Sequence, residues 1–120
     1  MTEAVREHRA GRLAFAAVGV LSLVMLFSPA SDAPTGFPGS DKLIHFLLFA
    51  ALAATGLLAG VPTVPLAVGL VAYAGLSEVL QSVLPLDRRG DVRDVAADVL
   101  GLLTGLGAVV LRRRNRRVGR

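Results

Sequence analysis

The chain has 120 residues, of which 53% are hydrophobic and 18% are charged, and its mean hydropathy is +0.62. This composition excludes an ordinary water-soluble domain, and the absence of cysteine excludes disulfides, thiolate metal ligands and a cysteine nucleophile. The net charge of +4 comes from arginines near both ends of the chain rather than from a basic face, so we expect one small all-α membrane domain spanning residues 1–120.

The first apolar segment covers residues 13–30 and follows three arginines between residues 6 and 12. Crossing a bilayer takes about 20 apolar residues, so this segment is long enough to span. The basic lead and the Ser-Pro-Ala sequence at residues 28–30 are also typical of a signal peptide. We favour a span, because the segment is long for the apolar part of a signal peptide and three further apolar segments follow.

Three more spans are predicted at residues 43–61, 64–84 and 92–111, and a basic tail follows at residues 112–120. The links between them are rich in Pro, Gly, Ser and Asp, which is typical of irregular loops. With four spans, both termini lie on one side. That side carries nine Lys and Arg residues near the span ends and the other side carries four, which predicts that both termini are cytoplasmic.

Polar side chains gather at the outward end of three of these spans. An ionisable group in or near the bilayer is costly, so it is a functional-site hypothesis by default. The residues are Asp41, Lys42 and His45 at the start of the second span, Glu78 and Gln81 near the end of the third, and Asp91, Arg93, Asp94 and Asp98 at the start of the fourth. Asp91 by itself has a simpler interpretation, as a first-turn aspartate that complements the helix dipole.

Two Gly-x-x-x-Gly pairs lie in the predicted spans, Gly56/Gly60 in the second and Gly101/Gly105 in the fourth. Small residues at this spacing allow helices to approach closely. The second pair continues the helical face of the aspartates that open the same span, which predicts that this face points into the bundle. Either pair is also a candidate surface for a homo-oligomer.

Glu78 is the deepest of the acidic residues and must be paired or protonated in a bilayer. One interpretation is structural: an ion pair with Arg88 that fixes the register of the helices. A lone His45 would likewise be an ordinary interfacial histidine, and it gains interest only if acids from other helices converge on it. A zinc site built from His45 and two carboxylates is supported by no motif, and we expect no metal.

Three ordered motifs resemble the VanZ-like family of membrane proteins: DKLIHF at residues 41–46, EVLQ at 78–81, and the run from residue 88 to 105. The resemblance implies a family whose founding member is associated with low-level resistance to the glycopeptide teicoplanin. Asp98 departs from the family pattern, which commonly has asparagine there. Carried over by position, the family's polar residues are Asp41, Lys42, His45, Glu78, Gln81, Arg88 and Asp94.

These residues favour a protein of the bacterial cell envelope that binds or modifies a lipid-linked or cell-wall component at an outer-leaflet pocket. His45 and Glu78 are the candidate acid and base. Arg88 and Lys42 are candidates for holding an anionic headgroup. The remaining candidate ligand-binding residues are Asp41, Gln81, Asp94 and Asp98, of which the last two would orient the acid and base or hold a divalent ion.

Other functions remain open at this point. The polar residues of a non-enzymatic scaffold would serve only to hold the bundle together. A transporter would need polar groups on both halves of the path, and the inner halves of the spans are apolar. The expected partners are membrane lipids and not nucleic acid, because the terminal arginines fit a tail attracted to anionic headgroups. No motif identifies a cofactor.

Overall fold

The computed structural model describes residues 2–28, 39–85 and 91–119. These residues form four α-helices: α1 (Glu3–Phe27), α2 (Ser40–Leu58), α3 (Thr63–Val83) and α4 (Val92–Val118). All four are long and apolar enough to cross a membrane. The expected all-α chain with four spans is therefore confirmed at this level, and the chain is a multi-pass membrane protein by the length and composition of its helices.

The two terminal helices are longer than the predicted apolar spans. α1 begins at Glu3, ten residues before the predicted start, and the side chain of Thr2 caps it by accepting a hydrogen bond from the Val5 N–H at 3.4 Å. α4 continues to Val118, so most of the predicted basic tail is helical. Hydropathy predicts only the part of a helix that contacts lipid. Arginine has a high helix propensity, so an arginine-rich segment can continue the helix beyond the bilayer.

The turn between α2 and α3 depends on Gly60. This residue has a φ of +92°, in the left-handed region that only glycine adopts without cost. Its N–H donates to the Leu57 carbonyl at 3.0 Å, and the Val61 N–H donates to the Gly56 carbonyl at 3.0 Å. This pair of bonds is a Schellman motif, which ends α2 and returns the chain as α3.

α2 is the central helix of the bundle. It packs against the other three helices and most extensively against α4. Its buried side chains include Phe49, whose ring centroid lies 5.6 Å from that of Tyr73 on α3. By contrast, α1 buries only Gly11, Ser22 and Leu26 among its 25 residues. Its exposed leucines and valines are suited to contact with lipid.

Both ends of the described chain lie at the same end of the bundle. Arg116 near the end of α4 pairs with Glu7 near the start of α1, at 3.6 Å. At the opposite end, Gln81 near the end of α3 donates to the carbonyl of Leu26 near the end of α1, at 2.5 Å. The starts of α2 and α4 lie at this second end, where the predicted polar residues are found.

Candidate functional site

Lys42, in the first turn of α2, lies among three carboxylates. Its Nζ is 2.8 Å from Asp41 Oδ2, 3.1 Å from Asp91 Oδ2 and 3.2 Å from Asp94 Oδ1. Because Asp91 and Asp94 belong to the start of α4, this ammonium group ties the first turns of α2 and α4 together. The side chain of Lys42 is 32% exposed, so the group sits at the rim of the bundle rather than inside it.

His45 lies one turn further along α2 and is buried. Its Nδ1 donates a hydrogen bond to Asp98 Oδ1 on α4 at 2.8 Å, and Asp98 is completely buried. Its Nε2 is 3.8 Å from Asp94 Oδ2, which is too long for a hydrogen bond. The pair is therefore an imidazole oriented by one carboxylate through one nitrogen, with the second nitrogen left available.

Glu78 joins these residues from α3. It is buried, and its Oε1 accepts a hydrogen bond from the backbone N–H of Asp91, at the start of α4. Among the described residues, Glu78 Oε2 and Asp98 Oδ2 are buried and have no hydrogen-bond partner. A buried polar atom without a partner costs about 1–3 kcal/mol, and more for a charged group, so these two oxygens require an explanation.

Three helices thus contribute to one group of contacts, which we call the polar cluster and which carries five carboxyl groups, one ammonium and one imidazole. Because the carboxyl groups outnumber the basic groups, the cluster is suited to a hydrogen-bond donor or a proton rather than to an anion. Within the described residues, no group of three or more His, Cys, Asp and Glu side chains is arranged to hold a metal ion. The polar cluster consists of Asp41, Lys42, His45, Glu78, Asp91, Asp94 and Asp98.

Glycines on α4 bring the two sides of the polar cluster together. Gly101 and Gly105 are buried against the backbone of α2, and a Cβ at either position would collide with the carbonyl of Phe46 or Ala50. The Asp94–Asp98–Gly101–Gly105 face therefore points into the bundle, as its spacing predicts. This stripe is used within the chain, as is Gly56, where a Cβ would meet the Leu66 side chain at 2.7 Å.

Gln81 does not contact the polar cluster. It is buried, and its amide nitrogen donates to the Leu26 carbonyl, so it ties α3 to α1 instead of facing the polar cluster. Arg88, the expected partner of Glu78 and of an anionic headgroup, lies outside the described residues. The ammonium of Lys42 is already in contact with three carboxylates, which leaves it poorly placed to bind an anionic ligand.

Asp91 belongs to the polar residues predicted at the span ends, but the sequence favours a simple role for it at the helix dipole, and it is absent from the candidate ligand-binding residues. It caps α4 by accepting a hydrogen bond from the Arg93 N–H at 2.9 Å, and it also contacts Lys42. The Arg93 hydrogen bond, followed by the Lys42 ammonium, holds the pKa of the Asp91 carboxyl below its usual range. Its position one helical turn before Asp94 predicts that it shares a face with the other two aspartates, but this spacing gives no signal for its contact with Lys42 on α2.

Comparisons with known proteins add no relative: no protein-family model matches the chain, and no curated protein and no solved structure matches it. The resemblance to VanZ-like proteins therefore rests on the three motifs of the sequence alone.

Proposed function

We propose that this protein spans the bacterial cell membrane four times with both termini in the cytoplasm. In this orientation the polar cluster opens at the outer leaflet and binds, or modifies by acid/base chemistry, a lipid-linked or cell-wall component. The excess of Lys and Arg beside the two termini supports the orientation. The resemblance to VanZ-like proteins supports the choice of an envelope component as ligand.

The observation that carries this proposal is the pair of unpartnered carboxylate oxygens beside the His45–Asp98 hydrogen bond. A purely structural network gains stability when every buried polar atom is satisfied. The polar cluster does not meet this condition, because Glu78 Oε2 on α3 and Asp98 Oδ2 on α4 have no hydrogen-bond partner among the described residues. A hydroxyl or amino group is the kind of donor that such an oxygen lacks, and the sugar and amino-acid parts of envelope components carry such groups.

The geometry also suits proton transfer. Asp98 accepts from Nδ1 of His45, so the neutral ring carries its free lone pair on Nε2, where it serves as a base. Glu78 supplies the second titratable group from α3. In this scheme Asp98 is a positioning residue, and His45 and Glu78 are the groups that exchange protons with the ligand.

The test is complementation of a null strain, with teicoplanin susceptibility as the readout and membrane levels followed by immunoblot. We expect His45→Ala and Glu78→Gln to reach the membrane at normal levels but to fail to restore the phenotype. Ser77→Ala is the matched control on α3, because Ser77 is also buried and, among the described residues, its hydroxyl donates to the Ala74 carbonyl of its own helix at 3.0 Å. Full restoration by the His45 and Glu78 variants would contradict the proposal. An unchanged phenotype with wild type would remove the link to resistance.

A second candidate function is a non-enzymatic membrane scaffold. The observation that favours it is the set of ties between helices made by the cluster, in which Lys42 joins α2 to α4 and Glu78 joins α3 to α4. A scaffold predicts that every loss of function follows a loss of membrane level or thermal stability. The acid/base proposal predicts instead that a stable Glu78→Gln protein is inactive.

A further inference from the structure

A second polar region lies at the opposite end of the bundle from the polar cluster. A cavity of about 510 Å³ opens there between the start of α1, the α2–α3 turn and the end of α4. A smaller cavity of about 80 Å³ adjoins it and shares Glu7, His8 and Arg113 with it. We call the two cavities together the basic cleft, because arginines of α4 line both.

Two of these arginines are held by the protein itself. Arg113 donates from Nη2 to the Leu57 carbonyl at 2.9 Å, which anchors the end of α4 to the last turn of α2. Arg116 pairs with Glu7 at 3.6 Å, which anchors it to α1. The Arg113 hydrogen bond fixes one wall of the cleft against α2, whereas the Arg116–Glu7 pair is more than half exposed and adds little.

Two other arginines line the cleft without a partner of their own. Arg112 borders the smaller cavity and Arg117 the larger one, and neither forms an ion pair with another described residue. With Arg113 and Arg116 they place four guanidinium groups around the single carboxylate of Glu7. The cleft therefore carries an excess of positive charge that the described residues do not neutralise.

The start of α3 adds hydrogen-bond donors to the same place. Pro62 and Thr63 line the larger cavity, and Pro62 precedes the helix without a side-chain cap. The first N–H groups of a helix have no partner within it, and this end carries partial positive charge. Pro65 has no N–H, so the free donors of this helix start belong to Thr63 and Val64, and Thr63 lines the same cavity as Arg113 and Arg117.

We infer that the basic cleft binds a phosphate group, with the headgroup of an anionic membrane lipid as its source. Arginine forks and helix N-termini are the two protein features that bind phosphate best. The volume of the larger cavity lies in the range of small-ligand sites. The cleft also lies where the apolar part of α4 ends, directly after Leu111, which is the level at which lipid headgroups meet a transmembrane helix.

This inference is independent of the proposed function, because the basic cleft and the polar cluster share no residue and lie at opposite ends. It assigns to Arg112 and Arg117 a defined ligand instead of a general attraction to the membrane surface. The difference is measurable, since Arg114 lies on the same helix and lines neither cavity.

The experiment is a lipid titration of the purified full-length chain in detergent, read by native mass spectrometry. Cardiolipin is the anionic probe and phosphatidylcholine the neutral one. We expect Arg112→Gln and Arg117→Gln each to weaken cardiolipin binding about tenfold, the loss of one charge-assisted hydrogen bond. Arg114→Gln removes the same charge from the same helix and is expected to change binding less than about twofold.

Equal losses in all three variants would overturn the inference, since they would indicate diffuse attraction to the tail. Equal binding of cardiolipin and phosphatidylcholine by the wild-type chain would overturn it as well. A competition with millimolar inorganic phosphate distinguishes the two sources of the phosphate group. Retention of cardiolipin supports a lipid headgroup, and its displacement assigns the cleft to free phosphate instead of lipid.

Discussion

The two ends of this bundle handle charge in opposite ways. In the polar cluster, acidic and basic side chains from α2 and α4 contact one another, and His45, Asp94 and Asp98 are buried. In the basic cleft, the arginines are exposed, and the Arg116–Glu7 pair is more than half exposed on both sides. Acidic and basic groups thus contact one another inside the protein at one end, where the carboxyl groups are in excess, whereas at the other end only one arginine is paired with a carboxylate among the described residues.

The difference follows from the surroundings of each end. A charge that is removed from water must be paired or hydrogen-bonded, so the buried end requires residues from several helices to meet with good geometry. An exposed arginine keeps its hydration and needs no partner in the protein. Substitutions at the two ends should consequently differ in how much they destabilise the protein.

The largest effect is expected at Gly101, where α4 approaches α2 beneath the polar cluster. Gly101→Ala places a Cβ against the Phe46 carbonyl and should destabilise the protein by about 2 kcal/mol, since the two helices must move apart. Gly107→Ala is the matched control on the same helix, where a Cβ would meet nothing within 4 Å. It should stabilise α4 by up to about 1 kcal/mol. Thermal unfolding in detergent measures both, and equal shifts would contradict close packing at Gly101.

An intermediate effect is expected at Asp98. Asp98→Asn weakens the hydrogen bond from His45 in a completely buried position and should cost about 1–2 kcal/mol. Asp41→Asn makes the same chemical change at a carboxylate whose side chain is 59% exposed, and it should cost less than about 0.5 kcal/mol. Chemical unfolding in mixed micelles gives the two values. A larger loss at Asp41 would reverse the comparison between buried and exposed charge.

The smallest effects compare one cation from each end. Lys42→Met removes a cation that contacts three carboxylates and should cost about 1 kcal/mol, a value that falls at high salt. Arg116→Met removes one exposed pair and should cost less than about 0.5 kcal/mol. Unfolding at low and high salt separates the two. If Arg116→Met were the more costly variant, the basic cleft would be more tightly built than its exposure indicates.

Much of the fold follows from hydropathy, but the limits of the helices do not. Apolar runs predict the four spans because crossing a bilayer requires them. They give no signal for the first ten residues of α1 or for the arginines of α4, which are helical without being apolar. Helix caps and favourable propensity, rather than hydropathy, decide these ends.

The candidate site could be predicted only in part, because the sequence gives the position of a residue along its own helix but not its contacts with other helices. Spacing along a helix places Asp94 and Asp98 on one face, and the number of spans places three polar groups at one end. Spacing does not reveal which groups from different helices touch. Gln81 shares a face with Glu78, yet its amide reaches Leu26 on α1, whereas Asp91 contacts both Glu78 and Lys42.

The class of this protein, its four spans and the segregation of its charges could all be predicted from the sequence, because they depend on composition and on order along the chain. The tertiary structure alone decided that His45 bonds to Asp98, that Lys42 lies among three carboxylates, and that four arginines surround a cleft. Each of these contacts depends on how closely helices distant in sequence approach one another. That approach is set by small residues such as Gly101, whose backbone contacts cannot be read from a single helix.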